Sequence, residues 1–200
     1  MPSLDAPLSG IRVVDLSQGI AGPYCAMLLA QHGADVVKVE PPEGDWSRTL
    51  GARYGDQTAF SVVGNLGKRA IALDLKGEDD RAILRRLAAR ADVFIEGFRP
   101  GVAARLGVDY PAIAALSPRV VYLSVSGFGQ TGPERERPAM DPVLQAFTGM
   151  MHRKSHAGRG RANAFTGKIH TGTVPVKWGA ASRPRRRGGS PRSGLTSGGS

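Results

Sequence analysis

The sequence predicts an α/β fold built on a parallel, doubly wound sheet and followed by a basic tail with no core of its own. Three observations predict it. Short β-branched runs recur with helix-length segments between them, a spacing that suits parallel strands joined by crossover helices. Gly and Pro stand where those segments start and stop. The charge is uneven: residues 1–151 carry 16 Lys+Arg against 17 Asp+Glu, a net of −1, whereas residues 152–200 carry 11 Lys+Arg and no acid. The formal charge of +10 therefore belongs to the tail alone.

The elements follow in order. Ile11–Leu16 is β-branched and apolar, suited to a buried strand. Gly22-Pro23 opens a helix, since Pro loses nothing where the first-turn N–H is unpaired anyway. That helix runs to Gln31 and closes at Gly33. Asp35–Val39 is the second strand, ended by Pro41-Pro42. A Gly-rich stretch, read as irregular, leads to a strand at Ala70–Asp74. Glu78–Arg90 places Ile83, Leu84 and Leu87 on one helix face. Asp92–Glu96 and Arg119–Val125 complete the strands, with short helices at 101–106 and 110–116. Beyond Met151 stand ten Gly and clusters such as Arg183–Gly189, without an apolar period. Such a segment buries too little surface to offset its ordering entropy, so residues 152–200 are expected to be disordered and residues 1–151 to form the folded unit. There is no internal repeat.

Composition narrows the function. Two hundred residues of 21.1 kDa, 41% hydrophobic and 22% charged, suffice for a buried core and suit a globular, soluble chain. The longest nearly apolar run, Ala26–Ala30, is far short of a bilayer span. Residues Met1–Gly10 lack the basic and apolar regions of a secretory signal. One cysteine, Cys25, leaves no disulfide framework and no cysteine-based zinc site. A reduced, cytoplasmic setting is expected.

Gly127, Gly129 and Gly132 match GxGxxG after a strand, half of a dinucleotide fingerprint. The other half is missing: Pro133–Pro138 does not open a long helix, and no acid stands about 20 residues on. A glycine-rich turn shaped for backbone conformation or close ligand approach is expected instead. Cys25, inside the first helix among Ala, Met and Leu, is read as a buried structural thiol. His32, His152, His156 and His170 make no ligand spacing, so no metal site is expected. Glu40, Asp45 and Asp141 follow strands, where α/β active sites form, but each is read as a surface or capping residue. Lys68, Arg69, Lys76, Arg99, Arg105 and Arg137 either cradle an anion or form a solvated face.

Five ordered blocks carry a resemblance. They are Pro7–Leu16; Ala21-Gly-Pro23; Gly33–Glu40 with Gly44-Asp45 and Arg48; Lys68-Arg69 with Leu73–Lys76; and Asp92–Gly101 running on to Ser126–Pro133 and Asp141. Over about Leu8 to Met151 the chain resembles the family III CoA-transferases, the CaiB/BaiF family that includes formyl-CoA and carnitine CoA-transferases. The resemblance implies the N-terminal part of a Rossmann-like domain. It implies acyl-CoA and a carboxylic acid as substrates, with no metal: an aspartate attacks the thioester, and coenzyme A passes through an aspartyl-CoA thioester to the acceptor. It places Leu73, Lys76, Phe98 and Arg105 against the coenzyme A nucleotide and Gln18 near the thioester. Gly97 replaces a family Asn, and Arg137 stands one place before a family basic residue. Gly127, Gly129 and Gly132 would supply backbone amides to developing oxyanions.

The family also contains α-methylacyl-CoA racemases, which have Gly-His-Asp where this chain reads Ala139-Met140-Asp141. Methionine carries no proton, so the transferase branch is preferred. The family's catalytic Asp falls in residues 160–180 here, and no Asp or Glu follows Asp141. The expectation is a truncated, inactive chain, out of frame after about Met151, for which the family homodimer is not expected. A competing reading is a nucleic-acid-binding fragment, in which the basic tail holds single strands with Phe165 and Trp178 stacking, or binds polyanions without specificity.

Overall fold

The computed structural model describes residues 6–150 and the strand Lys177–Trp178. Along the chain, β1 (Arg12–Asp15) leads to α1 (Ala21–Gln31) and β2 (Asp35–Glu40). A 3-10 turn at Trp46–Thr49 and a hairpin of β3 (Arg53–Tyr54) and β4 (Gln57–Thr58) precede α2 (Ala59–Asn65). Then come β5 (Arg69–Ala72), α3 (Glu78–Ala88), β6 (Val93–Glu96), α4 (Val102–Arg105) and α5 (Tyr110–Leu116). β7 (Val121–Ser124), α6 (Asp141–Phe147) and β8 (Lys177–Trp178) complete the order.

Five strands pair in parallel in the order β5-β2-β1-β6-β7, and β8 adds antiparallel to β7. The rest of residues 152–200, the segment expected to be disordered, lies outside the described residues. Alternation along the strands builds two cores. Val13, Val36, Ile95 and Leu123 face α1, where Ala26 is fully buried. Val14, Val39, Phe94 and Tyr122 face the other way, against Leu84 and Ala88 of α3 and Ile113 of α5. Phe94 stacks on Tyr122 with ring centroids 5.5 Å apart. Because parallel sheets are covered on both faces, near-continuous apolar runs were the right strand signal.

The predicted strands and the helices α1, α3, α4 and α5 are all present. Gly33 closes α1 with φ 97°, donating to the Ala30 carbonyl at 2.9 Å, in a space that a Cβ would share with Ala6. Five pieces went unforeseen: the 3-10 turn, the hairpin, α2, α6 and β8, the last within the segment expected to be disordered. The stretch before β5 is therefore ordered, not irregular. α2 is short and rich in β-branched residues, weak signals for a helix. It stands on a reciprocal cap, in which the Thr58 hydroxyl accepts the Ser61 N–H and the Ser61 hydroxyl accepts the Thr58 N–H.

Candidate functional site

The strand order reverses at β1, with β2 on one side and β6 on the other. At such a switch point the connections leave the C-terminal edge in opposite directions and open a crevice. Here that edge holds a cleft of about 440 Å³. Its walls come from four connections: Leu16 and Gln18 after β1, Pro41 to Glu43 after β2, Leu73 to Lys76 after β5, and Phe98 after β6. Leu16, Leu73 and Phe98 make an apolar floor continuous with the core beneath α3 and α5. The turn after β5 is fixed by Asp74, whose carboxylate accepts the Lys76 N–H at 3.0 Å. This leaves the Lys76 side chain exposed at the rim.

The structure thus brings Gln18, Leu73, Lys76 and Phe98 into one cleft. Arg105, the exposed last residue of α4, adjoins the lining residue Leu106 without lining the cleft itself. None of the described ion pairs includes Lys76 or Arg105, so both are available to an anion. Arg137 stands elsewhere: it donates to Glu134 at 2.8 Å and lies 5.6 Å over the Phe147 ring, at a separate hollow beside α6. Gly127, Gly129 and Gly132 follow β7 without lining the cleft, and no helix begins before Asp141. Gly127 packs so closely on Ala139 that any Cβ there would collide with it.

On the α1 side of the same edge lies a set of buried charges. Lys68 Nζ donates to Asp15 at 2.8 Å, to the Pro23 carbonyl at 2.8 Å and to Asn65 at 3.0 Å. Lys38 Nζ donates to Asp45 at 2.9 Å and to the Ser17 carbonyl. Asp45 also accepts the Gly19 and Ser47 N–H groups, each at 2.9 Å. Arg48 grips Glu40 with two bonds of 2.8 and 2.9 Å. Burial pushes both the Asp45 and Glu40 carboxyls up. At Asp45, Lys38 and the Ser47 and Gly19 N–H groups together outweigh it, and at Glu40, Arg48 with the Asp45 N–H and Lys38, so both end below the usual range. At Lys68 burial prevails over Asp15 and lowers the ammonium pKa.

These contacts correct several expectations. Asp45 caps the 3-10 turn as anticipated, but it is 2% exposed and not a surface residue. Glu40 ends a strand and is buried, and Lys68 belongs to neither a solvated face nor an anion cradle. Asp141 opens α6 and accepts from Gln145. Cys25 is half-buried, and burial, reinforced by Asp15, pushes its thiol up and away from a nucleophile. Asp15, Lys38 and Glu96 were missed as site residues. The available signal was a charge inside an otherwise apolar strand. Among the described residues, no group of three or more His, Cys, Asp or Glu could hold a metal ion, and no helix is long and apolar enough to cross a membrane.

On the α3/α5 side of the edge stands Glu96, 2% exposed. Burial raises its pKa, opposed by hydrogen bonds from the Ser124 hydroxyl and the Phe98 N–H. The paired charges and Glu96 therefore flank the switch point on opposite faces of one sheet.

Comparison with known proteins gives one consistent result. The family model for CoA-transferase family III matches residues 8–190, running on past the Met151 at which the recognisable blocks end. The chain is 46% identical over 146 residues to acetyl-CoA:oxalate CoA-transferase of Acetobacter aceti, covering 72% of this chain and 38% of that one. It is 40% identical over 182 residues to succinate–glutarate CoA-transferase of Agrobacterium fabrum, covering 84% and 46%. A crystal structure of a CAIB/BAIF family protein from Brucella suis superposes with a TM-score of 0.70 at 41% identity, covering 74% of this chain and 40% of that one. The chain spans less than half the length of each of these relatives.

Proposed function

Since the chain belongs to CoA-transferase family III, we propose that its cleft takes the coenzyme A part of an acyl-CoA, and that the whole protein moves coenzyme A between carboxylic acids. The carrying observation is the convergence of Gln18, Leu73, Lys76 and Phe98 on one cleft at the switch point. Coenzyme A offers a flat adenine and a run of phosphates. Leu73 and Phe98 suit the adenine, Lys76 and Arg105 the phosphates, and the Gln18 amide the thioester carbonyl. Apolar walls with a few convergent polar groups are what such a ligand needs.

In the transfer, a carboxylate attacks the thioester carbonyl and the C–S bond breaks, giving a mixed anhydride and coenzyme A thiolate. The thiolate attacks the enzyme's half of the anhydride, releasing the donor acid and leaving an aspartyl-CoA thioester. The acceptor carboxylate then repeats both steps in reverse. No Asp or Glu follows Asp141. The 200-residue chain is therefore proposed to bind coenzyme A without transferring it. Met140, exposed and unable to carry a proton, supports transfer over racemisation. The basic residues of 152–200 would add weak, salt-sensitive attraction to polyanions. The out-of-frame reading of this segment competes with the family match beyond Met151, and translating its coding DNA in all three frames decides between them.

Calorimetric titration with coenzyme A tests the reading. Saturable binding is expected, weakened about tenfold, or ~1.4 kcal/mol, by Lys76→Ala. Binding that survives Lys76→Ala and Phe98→Ala together would place the ligand elsewhere. Transfer of coenzyme A between two carboxylic acids by the purified chain would overturn its proposed inactivity.

A further inference from the structure

Glu96 is the last residue of β6, and no cation accompanies it among the described residues. Its surroundings are neutral: the Phe98 N–H donates to it at 2.7 Å, and Ser124, its cross-strand neighbour in β7, stands beside it on the same face of the sheet. Ser124 Oγ in turn accepts Gln130 Nε2–H at 2.6 Å. With its acceptor side taken by Gln130, the Ser124 hydroxyl has its proton free for the neighbouring carboxyl. Phe98 lines the cleft, and Gln130 sits within the Gly127–Gly132 loop. Among the described residues no backbone hydrogen bond joins residues 126–131 to the sheet, so this side-chain relay is their polar tie to it. Packing alone would favour an apolar side chain at this position, as at Phe94 on the same face, because a lone buried carboxyl opposes folding.

We propose that Glu96 is a positioning residue: through Ser124 and Gln130 it fixes the glycine-rich loop against the turn that carries Phe98, so that loop and cleft form one preassembled site. Ser124 and Gln130 are both needed in their polar form. Ser124 must both donate and accept, which only a hydroxyl does in that space. Gln130 must reach from a loop whose residues Gly129 and Gly132 adopt φ of 82° and 94°. The use of the assembled site rests on the coenzyme A reading above; its geometry does not.

Amide hydrogen exchange on the 200-residue chain tests the relay. Ser124→Ala, Gln130→Ala and Glu96→Gln should each speed exchange of the 126–132 amides about tenfold or more while α3 is unaffected. Ser124→Thr, which keeps the hydroxyl, should restore protection. Unchanged loop exchange in Ser124→Ala and Gln130→Ala would overturn the proposal. So would a parallel rise in α3, which would make the relay a matter of global stability. Coenzyme A titration is read separately. A wild-type chain that binds none defeats the functional reading while leaving the exchange result to stand. If wild type binds, the variants should bind about tenfold more weakly. Equal affinity despite a loosened loop would show that loop and cleft are not one site.

Discussion

The two faces of the sheet's C-terminal edge solve the burial of charge in opposite ways. Facing α1, Asp15, Lys38, Asp45 and Lys68 are almost wholly buried, and each carboxylate has its cation within 2.9 Å. Facing α3 and α5, Glu96 has only neutral donors. The first arrangement neutralises its charges internally and ties the loops after β1 and β2 to the strands beneath them. The second leaves a carboxyl with no cation to stabilise its ionised form, beside the turn that carries Phe98. The lesson is that buried charge at this edge serves as scaffold where it is paired and as part of the candidate site where it is not.

The comparison breaks first if the paired side is dispensable. Lys68→Met leaves Asp15 buried without its cation and should cost about 3–5 kcal/mol in urea unfolding. A loss under about 1 kcal/mol would mean that Asp15 is carried by other donors.

The pH dependence sharpens it next, because the two faces carry opposite signs. Asp45 and Glu40 have lowered folded pKa values. The stability they supply is complete above the unfolded carboxylate range near pH 4 and drains as pH falls through the lower folded values. Asp45→Asn should therefore flatten the acid limb of the stability profile. Glu96 has a raised folded pKa, so the native state holds its proton longer than the unfolded chain. Its stability contribution is greatest at acid pH and is lost as pH rises from about 4 through the folded value. Glu96→Gln should flatten that loss and leave the acid limb alone, as read by denaturation across pH 4–8.

Thr58→Ala removes the cap of α2, the helix whose Asn65 holds Lys68, and should cost about 1 kcal/mol. Thermal unfolding of this variant gauges how far the paired side depends on its frame. The smallest effect belongs to the control. Arg69 and Asp35 form a bidentate pair, as Arg48 and Glu40 do, but both are exposed, and Arg69→Ala should cost less than about 1 kcal/mol. A cost equal to that of Lys68→Met would show that burial is not what separates the pairs.

β1, β2, β6 and β7 were legible because they are covered on both faces and so read as largely apolar runs, as Val120–Leu123 does, whereas β5 is mostly exposed. α1 was legible from Gly33 and α3 from Leu84 and Leu87, but Ile83 of the same predicted face is exposed and Ala88 takes its place in the core. The charged edge was not. Asp15 finds Lys68 53 positions away, and no local pattern announces a pairing that only strand order creates. Asp45 likewise read as a surface loop residue because its burial depends on Lys38 of β2 and on Gly19 from the connection after β1. Of the cleft, Gln18, Leu73, Lys76 and Phe98 were visible through family resemblance, each at the start of a connection. Arg137, drawn from the same resemblance, lies outside that cleft, against Glu134 and the Phe147 ring.

Arg69 has a second consequence, outside the edge that carries the chemistry. β5 has no further neighbour among the described strands, whereas β7 is covered by β8. A lateral edge of this kind offers free amides and carbonyls to any extended chain that meets it, and is where aggregates start. Arg69 opens β5 and is locked on Asp35 of the adjacent strand, so an incoming strand would have to strip water from an ion pair to dock. A contact worth little to the fold can thus act as a guard against templated self-association, with sedimentation of Arg69→Ala as its gauge.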